Sequence, residues 1–381
     1  MKILLIGPYP PPHGGVSVHL AGIERRLAAA GIPHKVLDTS RRRSWAGLIA
    51  SLVRSALAGW TVHFHSNGHN WKDWSIALVC GLAGRPCAGS ILTLHSGLAP
   101  EYLAAAPPRM RRIARWTCAL HKRVIPVSPA IRDALVSLGV PSASIEVSPA
   151  CLGVERAIAR GGSTAASIPM GTLDANLLSW IRCHHPLLST ALFFRPEYGF
   201  ETLVAALDRL RQRYPALGCL VMGSGEDRDS AERLVRQAGL EANVRLAGDV
   251  EHDTCLVLMS LSDAFVRATL RDGDSISVRE ALELGVPVVA SRTGFRPRGA
   301  ILFEPRDIGQ LVAAIELALK AGASAGENDE APQPGSAHPW MATDRSMGID
   351  GGMDGGMDGG MDRLMAIYRQ TVGREGVYGA S

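Results

Sequence analysis

The sequence has few aromatic residues, no disulfide pattern and no long apolar run. Aromatic residues make up only 5% of its 381 residues, and its seven cysteines are scattered, with no Cys-x-x-Cys pair. An odd, unpatterned set of cysteines gives no disulfide framework and is typical of a reducing compartment. No apolar run approaches the roughly 18 residues of a membrane span. The apolar run in Met1–Pro8 is too short for a signal peptide, so we expect a cytoplasmic protein.

The charge of the chain gives no reason to expect a nucleic-acid partner. The formal net charge is only +4, and no basic stretch is interleaved with aromatic residues. With 46% hydrophobic and 20% charged residues, the composition is that of a folded protein. The length is sufficient for two domains of ordinary size.

Apolar strand patterns alternate with amphipathic helix patterns over most of the chain. Lys2–Ile6 is typical of a short buried strand, and Ser90–His95 and Leu188–Phe194 also have strand patterns. This βαβα order predicts an α/β protein with two Rossmann-like, doubly wound domains.

The predicted organisation has four parts. A glycine- and serine-containing stretch at 161–167 indicates an interdomain hinge. Residues 321–360, which include three Gly-Gly-Met-Asp repeats, bury too little to fold and are predicted to be disordered. The parts are an N-terminal domain over 1–165, a C-terminal domain over 186–320, the disordered linker over 321–360 and a final helix over 361–375.

The most informative stretch is Arg271–Thr293. A polar, glycine-containing loop leads into a predicted helix from Ser275, which Gly285 ends, and Val286–Ala290 has the pattern of a buried parallel strand. The start of such a helix presents free backbone N–H groups and the positive end of a dipole, which suits a phosphate.

Two carboxylates, Asp272 and Glu280, flank that helix start. One lies before the turn and the other within the helix, so they can hold hydroxyl groups on two parts of one ligand. A ligand with hydroxyls at both ends of a diphosphate is a nucleotide-sugar.

Two turns in the N-terminal half also favour ligand binding. Gly14 and Gly15 end a loop between a strand and a helix, although their spacing is not the dinucleotide fingerprint. Relief of a tight turn is the alternative explanation for them. His95 ends a predicted parallel strand, where ligands bind in α/β proteins.

These segments together resemble the family 4 glycosyltransferases, retaining enzymes of the GT-B fold. The stretch around Asp272 and Glu280 is similar to the family's Glu-x7-Glu signature, with Asp272 in place of the first glutamate. The resemblance implies two Rossmann-like domains facing across a cleft. It also implies sugar transfer, with retention, from a nucleotide-sugar donor to a glycan or lipid-linked acceptor. Cell-surface polysaccharide synthesis is the family-level expectation.

The resemblance implies roles for individual residues. Glu280 would hold the ribose hydroxyls and Asp272 the sugar hydroxyls, and His95 would lie near the donor sugar and the acceptor. The glycine pair would let the backbone approach the donor phosphate. The other donor-binding candidates are Arg195, Gly223, Gly225, Arg267, Gly273, Asp274 and Ser275.

One position departs from the family pattern. Family members carry a lysine that meets the donor diphosphate, and Tyr198 stands at that position here. Arg195 is the nearest cation in sequence, and Arg267 and Arg271 are the other candidates to replace the lysine.

Two patterns suggest metal binding without supporting it strongly. Asp272 and Asp274 form the Asp-x-Asp pair that GT-A transferases use for a divalent ion, but two Rossmann-like halves argue against that fold. His63, His65 and His69 cluster without an acidic or cysteine partner nearby in sequence, which favours a polar cleft wall. We therefore expect no metal and no cofactor.

Two further functions remain open. A nucleotide-sugar epimerase of the same fold would release an epimerised sugar without an acceptor. A non-catalytic nucleotide-sugar binder would fit the replacement of the lysine by Tyr198.

The segment 108–123 carries six arginines and lysines together with Met110, Ile113, Trp116 and Leu120. A basic amphipathic helix of this kind can lie on an anionic membrane, and an ordinary solvated face is the alternative. The lipid-linked acceptors of the family motivate the hypothesis of peripheral contact with the inner face of a membrane.

Overall fold

The structure is a computed structural model that describes residues 1–41, 45–149, 174–326 and 358–372. Its contacts divide the chain into two compact units. The first comprises residues 1–152, 272–276 and 355–381, and the second comprises residues 153–271 and 277–354. The predicted hinge at 161–167 and residues 327–357 of the predicted linker lie outside the described residues.

The first unit contains a sheet of five parallel strands. They are β1 (Ile3–Gly7), β2 (His34–Asp38), β3 (Thr61–Ser66), β4 (Ser90–Leu94) and β5 (Arg123–Pro126). Their order across the sheet is β2-β1-β3-β4-β5. The helices are α1 (Gly15–Ala29), α2 (Trp45–Leu57), α3 (Trp71–Gly84), α4 (Ala99–Ala105), α5 (Pro108–Leu120) and α6 (Pro129–Ser137), with a 3₁₀ turn at Ser142–Ser144.

The strands form because their apolar runs fit a sheet that is covered on both faces. Every residue of β1, β3 and β4 is buried, as expected where crossover helices cover a parallel sheet. The cores on the two faces differ in composition. One includes Trp74 and Phe64, and the other includes Ile3, Leu20 and Ile23.

A C-terminal helix, Asp358–Val372, also packs on the first unit. It buries Leu364, Ile367 and Tyr368 completely or nearly so in the second of these cores. Burying an apolar side chain of this size stabilises by roughly 1.5–3 kcal/mol. The Tyr368 hydroxyl also lies 2.6 Å from Nδ1 of His63, which fixes the orientation of that buried ring.

The second unit contains a sheet of six parallel strands. They are β6 (Leu187–Ala191), β7 (Gly218–Met222), β8 (Val244–Gly248), β9 (Ala264–Arg267), β10 (Val288–Ser291) and β11 (Ala300–Phe303). Their order is β11-β10-β9-β6-β7-β8. The α-helices are Ala175–Cys183, Phe200–Arg211, Arg228–Gln237, His252–Ser260, Ile276–Glu283 and Ile308–Gly326, with a 3₁₀ turn at Pro196–Tyr198.

The second sheet has the Rossmann strand order, and the first has the other common doubly wound order. The two predicted doubly wound α/β domains are therefore confirmed. Two boundaries differ from the sequence prediction. The helix Ile308–Gly326 continues through an alanine-rich run into the segment predicted as linker, since alanine is the best helix former. The strand predicted from Val286 begins at Val288, after Pro287.

Buried histidines in the first unit make its stability depend on pH. His121 ends α5, is almost fully buried, and places Nε2 3.0 Å from the Ala77 carbonyl oxygen, to which it donates. Burial lowers the pKa of His121 to about 4, partly offset by this hydrogen bond. In the unfolded chain its pKa is about 6.5. Between these two values the unfolded state binds a proton that the folded state does not, so the stability falls as the pH drops.

We predict that His121→Gln, which keeps a donor for Ala77 but cannot take up a proton, flattens part of this pH dependence. Between pH 7 and pH 5 the wild type should lose about 2 kcal/mol more unfolding free energy than the variant. Urea unfolding at the two pH values measures the difference. His185→Gln, at an exposed position, is the control, and equal losses in the wild type and His121→Gln would contradict the prediction.

Candidate active site

In the second unit the strand order reverses between β6 and β9, and ligands bind at such a reversal in open α/β sheets. Arg267 is the last residue of β9 and is only 9% exposed. Its Nη1 donates to the carbonyl oxygen of Ala191, the last residue of β6, at 2.6 Å. The guanidinium of Arg267 is therefore fixed at the point where the sheet reverses its order.

Two of the three candidate arginines, Arg267 and Arg195, lie over aromatic rings. The guanidinium of Arg267 lies 5.0 Å from the ring centre of Tyr198, and Tyr198 packs edge-on against Phe193 at 6.0 Å. The guanidinium of Arg195 lies 5.9 Å from the Phe193 ring. Tyr198 thus stands at the family's lysine position as a platform for a neighbouring arginine. Of the predicted substitutes, Arg267 contacts this platform directly.

Glu280 is buried in the helix Ile276–Glu283 and is only 3% exposed. Its Oε1 lies 2.6 Å from Nε2 of His252, the first residue of another helix. The sequence did not predict this pair, because His252 and Glu280 lie on different helices and no local spacing relates them. The arrangement fixes the orientation of the carboxylate.

A further arginine that the sequence did not single out joins the ends of β9 and β10. Nη2 of Arg296 lies 3.0 Å from the hydroxyls of both Thr269 and Thr293. Its Nε donates to the Ser291 carbonyl oxygen, also at 3.0 Å. Arg296 therefore braces the loop that leads from Arg267 towards Asp272.

Gly223 and Gly225, two of the predicted donor-binding residues, have a structural explanation of their own. Their φ angles are +132° and +159°. A Cβ at Gly223 would lie 1.8 Å from the Leu192 carbonyl oxygen, and one at Gly225 would lie 2.5 Å from the Phe194 nitrogen. The loop after β7 therefore packs on the loop after β6 in a way that only glycine permits, and donor contact at these residues stays a prediction.

In the first unit His95 belongs to a cluster of imidazoles at the carboxyl ends of the strands. Its Nε2 lies 3.1 Å from Nδ1 of His65, and its ring centre lies 4.9 Å from that of His19. Burial lowers the pKa values of His65 and His95 well below their usual range, and the neighbouring imidazoles add to the effect. The group with metal-ligand spacing is His19, His65 and His95 rather than the sequence cluster of His63, His65 and His69. Both ring nitrogens of His63 are engaged, by Tyr368 and Thr93.

The glycine pair lies where a ligand could approach the start of α1. Gly14 precedes the helix, and neither Gly14 nor Gly15 has a positive φ. No atom lies within 4 Å of a Cβ built at Gly15. Neither glycine is therefore required by a left-handed backbone, and the open space at Gly15 suits an approaching phosphate. Phosphate contact at the pair stays a prediction.

The loop that carries Asp272 packs on the loop after His95 within the first unit. A Cβ at Gly97 would lie 2.0 Å from the Asp272 carbonyl oxygen, and one at Gly273 would lie 2.5 Å from the His95 carbonyl oxygen. Asp274 and Ser275 follow and are both buried. The structure therefore brings Asp272 and His95 together, although they lie far apart in the sequence.

Solved structures show which fold the chain has. The crystal structure of Anabaena HepE in complex with UDP-glucose matches with a TM-score of 0.63 at 17% identity, over 86% of this chain and 95% of that one. The catalytic domain of starch synthase IV from Arabidopsis thaliana, bound to ADP and acarbose, matches with a TM-score of 0.66 at 13% identity, over 98% and 99%. The chain has the GT-B fold.

Sequence comparison shows which proteins this chain resembles. Residues 191–331 match the model of the family "Glycosyl transferases group 1", and residues 50–156 match "Glycosyltransferase Family 4". A phosphatidyl-myo-inositol mannosyltransferase from Propionibacterium freudenreichii is 30% identical over 171 residues, 44% of this chain and 41% of the relative. The matched segment thus spans less than half of that relative. These matches confirm the predicted likeness to glycosyltransferases of the family 4 type, while the roles of Asp272 and Glu280 stay predictions.

Two glycines of this region should respond oppositely to the same substitution. We predict that Gly97→Ala lowers the free energy of unfolding by about 1–3 kcal/mol, because the methyl group meets backbone that must shift. Gly15→Ala should instead raise it by about 0.4–1 kcal/mol, since the site is open and the unfolded chain loses freedom. Urea unfolding of both variants measures this. A stable Gly97→Ala protein would show that the two loops are not packed as described.

Proposed function

We propose that this protein is a retaining glycosyltransferase. It moves a sugar from a nucleotide-sugar donor to a glycan or lipid-linked acceptor in cell-surface polysaccharide synthesis. The match of each half of the chain to a glycosyltransferase family model supports the reaction class. The observation that carries the proposal is the ordered guanidinium of Arg267 at the strand-order reversal of the second sheet.

Arg267 replaces the family's lysine as the cation that meets the donor diphosphate. Negative charge grows on the diphosphate as the bond to the sugar breaks, and a positive group already held in place stabilises that charge without reorganising. The Ala191 carbonyl and the Tyr198 ring hold Arg267 for this role. Arg195, about half exposed beside Glu226, supplies a second, more mobile cation.

Carboxylates hold the two ends of the donor. Glu280, oriented by His252 through Oε1, accepts hydrogen bonds from the ribose hydroxyls through Oε2. Asp272 accepts from the sugar hydroxyls, and His95, whose loop packs on that of Asp272, lies beside the reacting sugar. Gly14 and Gly15 leave the start of α1 open to phosphate.

Transfer proceeds without a metal ion in this proposal. The positive charge that a divalent ion would supply to the diphosphate comes from Arg267 and Arg195, together with the helix start at Ile276.

Two observations support a lipid-linked acceptor. One is the exposed face of α5, and the other is the likeness to a relative named for phosphatidyl-myo-inositol. Ile113 and Trp116 are 43% and 53% exposed, and Arg109 and Arg112 lie on the same face of the helix at turn spacing. Leu120, which the sequence pattern placed with them, is buried in the unit instead. Apolar side chains among arginines suit an anionic lipid surface. Within the described residues, no helix is both long and apolar enough to cross a membrane.

We predict that Arg267→Ala and Glu280→Gln each lower kcat/KM by roughly 10–100-fold, because a charged hydrogen bond is worth about 1.5–3 kcal/mol. The donor is first identified by thermal shift with UDP-, GDP- and ADP-sugars, since a ligand at 100 times its Kd stabilises by about 2.7 kcal/mol. Transfer is then measured in EDTA with that donor.

Arg292→Ala, which removes an exposed ion pair with Glu304 in the same unit, should leave kcat/KM unchanged. Unaltered kinetics in Arg267→Ala would contradict the proposed clamp. Donor binding without turnover on any acceptor would indicate a binder, and an epimerised sugar released without acceptor would indicate an epimerase. Loss of activity in EDTA would contradict transfer without metal.

For the membrane face, we predict that the double variant Ile113→Ser, Trp116→Ser co-sediments less with anionic liposomes at low salt than the wild type does. Both the apolar contact and the arginines contribute, so salt should also weaken the wild type. Trp71→Ser, which removes a tryptophan 70% exposed elsewhere in the first unit, is the matched control. If the wild type fails to co-sediment, the face is an ordinary solvated one.

A further inference from the structure

Three histidines of the first unit form a group that the proposed transfer reaction does not explain. His19 lies on α1, His65 on β3 and His95 directly after β4. One ring nitrogen from each lies within 4.8 Å of the others. Transfer as proposed uses His95 alone, so the convergence of His19 and His65 on it needs another reason.

The spacing of the rings is that of a tetrahedral metal site. Their centres are 4.9 Å (His19–His95), 5.3 Å (His19–His65) and 5.4 Å (His65–His95) apart. Three imidazoles that bind Zn²⁺ at 2.0–2.1 Å with tetrahedral angles have ring centres about 5 Å apart. The three backbones therefore already hold the rings at the required separation, and rotation of the rings within their places brings the nitrogens together.

His65 shows that the cluster does not satisfy itself by hydrogen bonding. Its Nδ1 lies 3.1 Å from Nε2 of His95, while its buried Nε2 has no hydrogen-bond partner among the described residues. In either tautomer, one buried polar nitrogen of His65 is left unsatisfied, and such a group costs about 1–3 kcal/mol.

His63, two residues earlier on the same strand, provides the contrast. Its ring is packed 4.1 Å from that of His65, but Nδ1 lies 2.6 Å from the Tyr368 hydroxyl and Nε2 lies 2.7 Å from the Thr93 hydroxyl. Both of its nitrogens are engaged. His63 therefore packs against the ring of His65 and has no ring nitrogen available to bind a metal.

We propose that His19, His65 and His95 form a Zn²⁺ site and that zinc bound there inhibits sugar transfer. The inhibitory part rests on the proposed function, because zinc withdraws His95 from the reacting sugar. Three imidazole ligands favour zinc and its transition-metal neighbours over Mg²⁺ or Ca²⁺, which prefer oxygen. Three protein ligands would leave the fourth tetrahedral position for water. His95 is only partly buried, which gives the ion a way in.

The test is zinc binding by the full-length chain after treatment with a chelator, measured by competition with a chromophoric chelator. We expect one Zn²⁺ per chain. Removing only an outer partner of a metal site typically costs 10–100-fold in affinity, so His19→Gln and His65→Gln should each weaken binding by more than about 100-fold. His121→Gln, another buried histidine of the unit outside the cluster, should leave the affinity unchanged.

Cobalt identifies the ligands in the wild-type protein, so the test does not depend on the variants folding. Co²⁺ should give the visible absorption of a tetrahedral nitrogen site, without the charge-transfer bands of thiolate ligands. The site would be overturned if the wild type bound no zinc or if Co²⁺ gave thiolate bands. It would also be overturned if folded His19→Gln and His65→Gln bound zinc as tightly as the wild type. If circular dichroism shows that these two variants are unfolded, His95→Asn at the partly exposed end replaces them.

Inhibition is measured separately, as loss of transfer on adding one equivalent of Zn²⁺ and its recovery with EDTA. Undiminished transfer by the zinc-loaded protein would overturn the inhibitory role and leave the site in place. Zinc binding in a protein that neither binds nor transfers any nucleotide-sugar would instead overturn the proposed function, so the two failures are distinguishable.

Discussion

All strands of both described sheets run parallel, and this constraint decides where chemistry can occur in the protein. Parallel strands end at the same edge, so the loops that follow them gather there, and adjacent loops diverge where the strand order reverses. In the second unit that point lies between β6 and β9, where Arg267 bonds to Ala191. In the first unit the corresponding point lies between β1 and β3, beside the Gly14–Gly15 turn and the histidine cluster.

The polar groups at these edges are largely buried, which makes their partners important. A buried cation or carboxylate is costly unless hydrogen bonds or charges compensate it. Arg267 has a carbonyl oxygen and the face of Tyr198, and Glu280 has His252. Each arrangement fixes a charged group in one orientation before a ligand arrives, and this pre-organisation is what stabilisation of a developing charge requires.

Tyr198 shows how a departure from a family pattern can be read once the structure is known. In sequence, the missing lysine appears as a loss of the cation that meets the diphosphate. In the structure, the aromatic ring at that position supports a different arginine, contributed by the end of a neighbouring strand.

The sequence alone was enough to predict the two parallel sheets, the helix that ends before Gly285 and the likeness to family 4 glycosyltransferases. These features depend on burial and backbone conformation within single elements, which apolar periodicity, β-branched runs and glycine stops record directly. The contact of Arg267 with Tyr198, the partnership of His252 with Glu280, and the assembly of His19 with His65 and His95 were decided only by the tertiary structure. Each of these joins side chains on different elements, and their meeting depends on the order of the strands in the sheet, which no local pattern encodes.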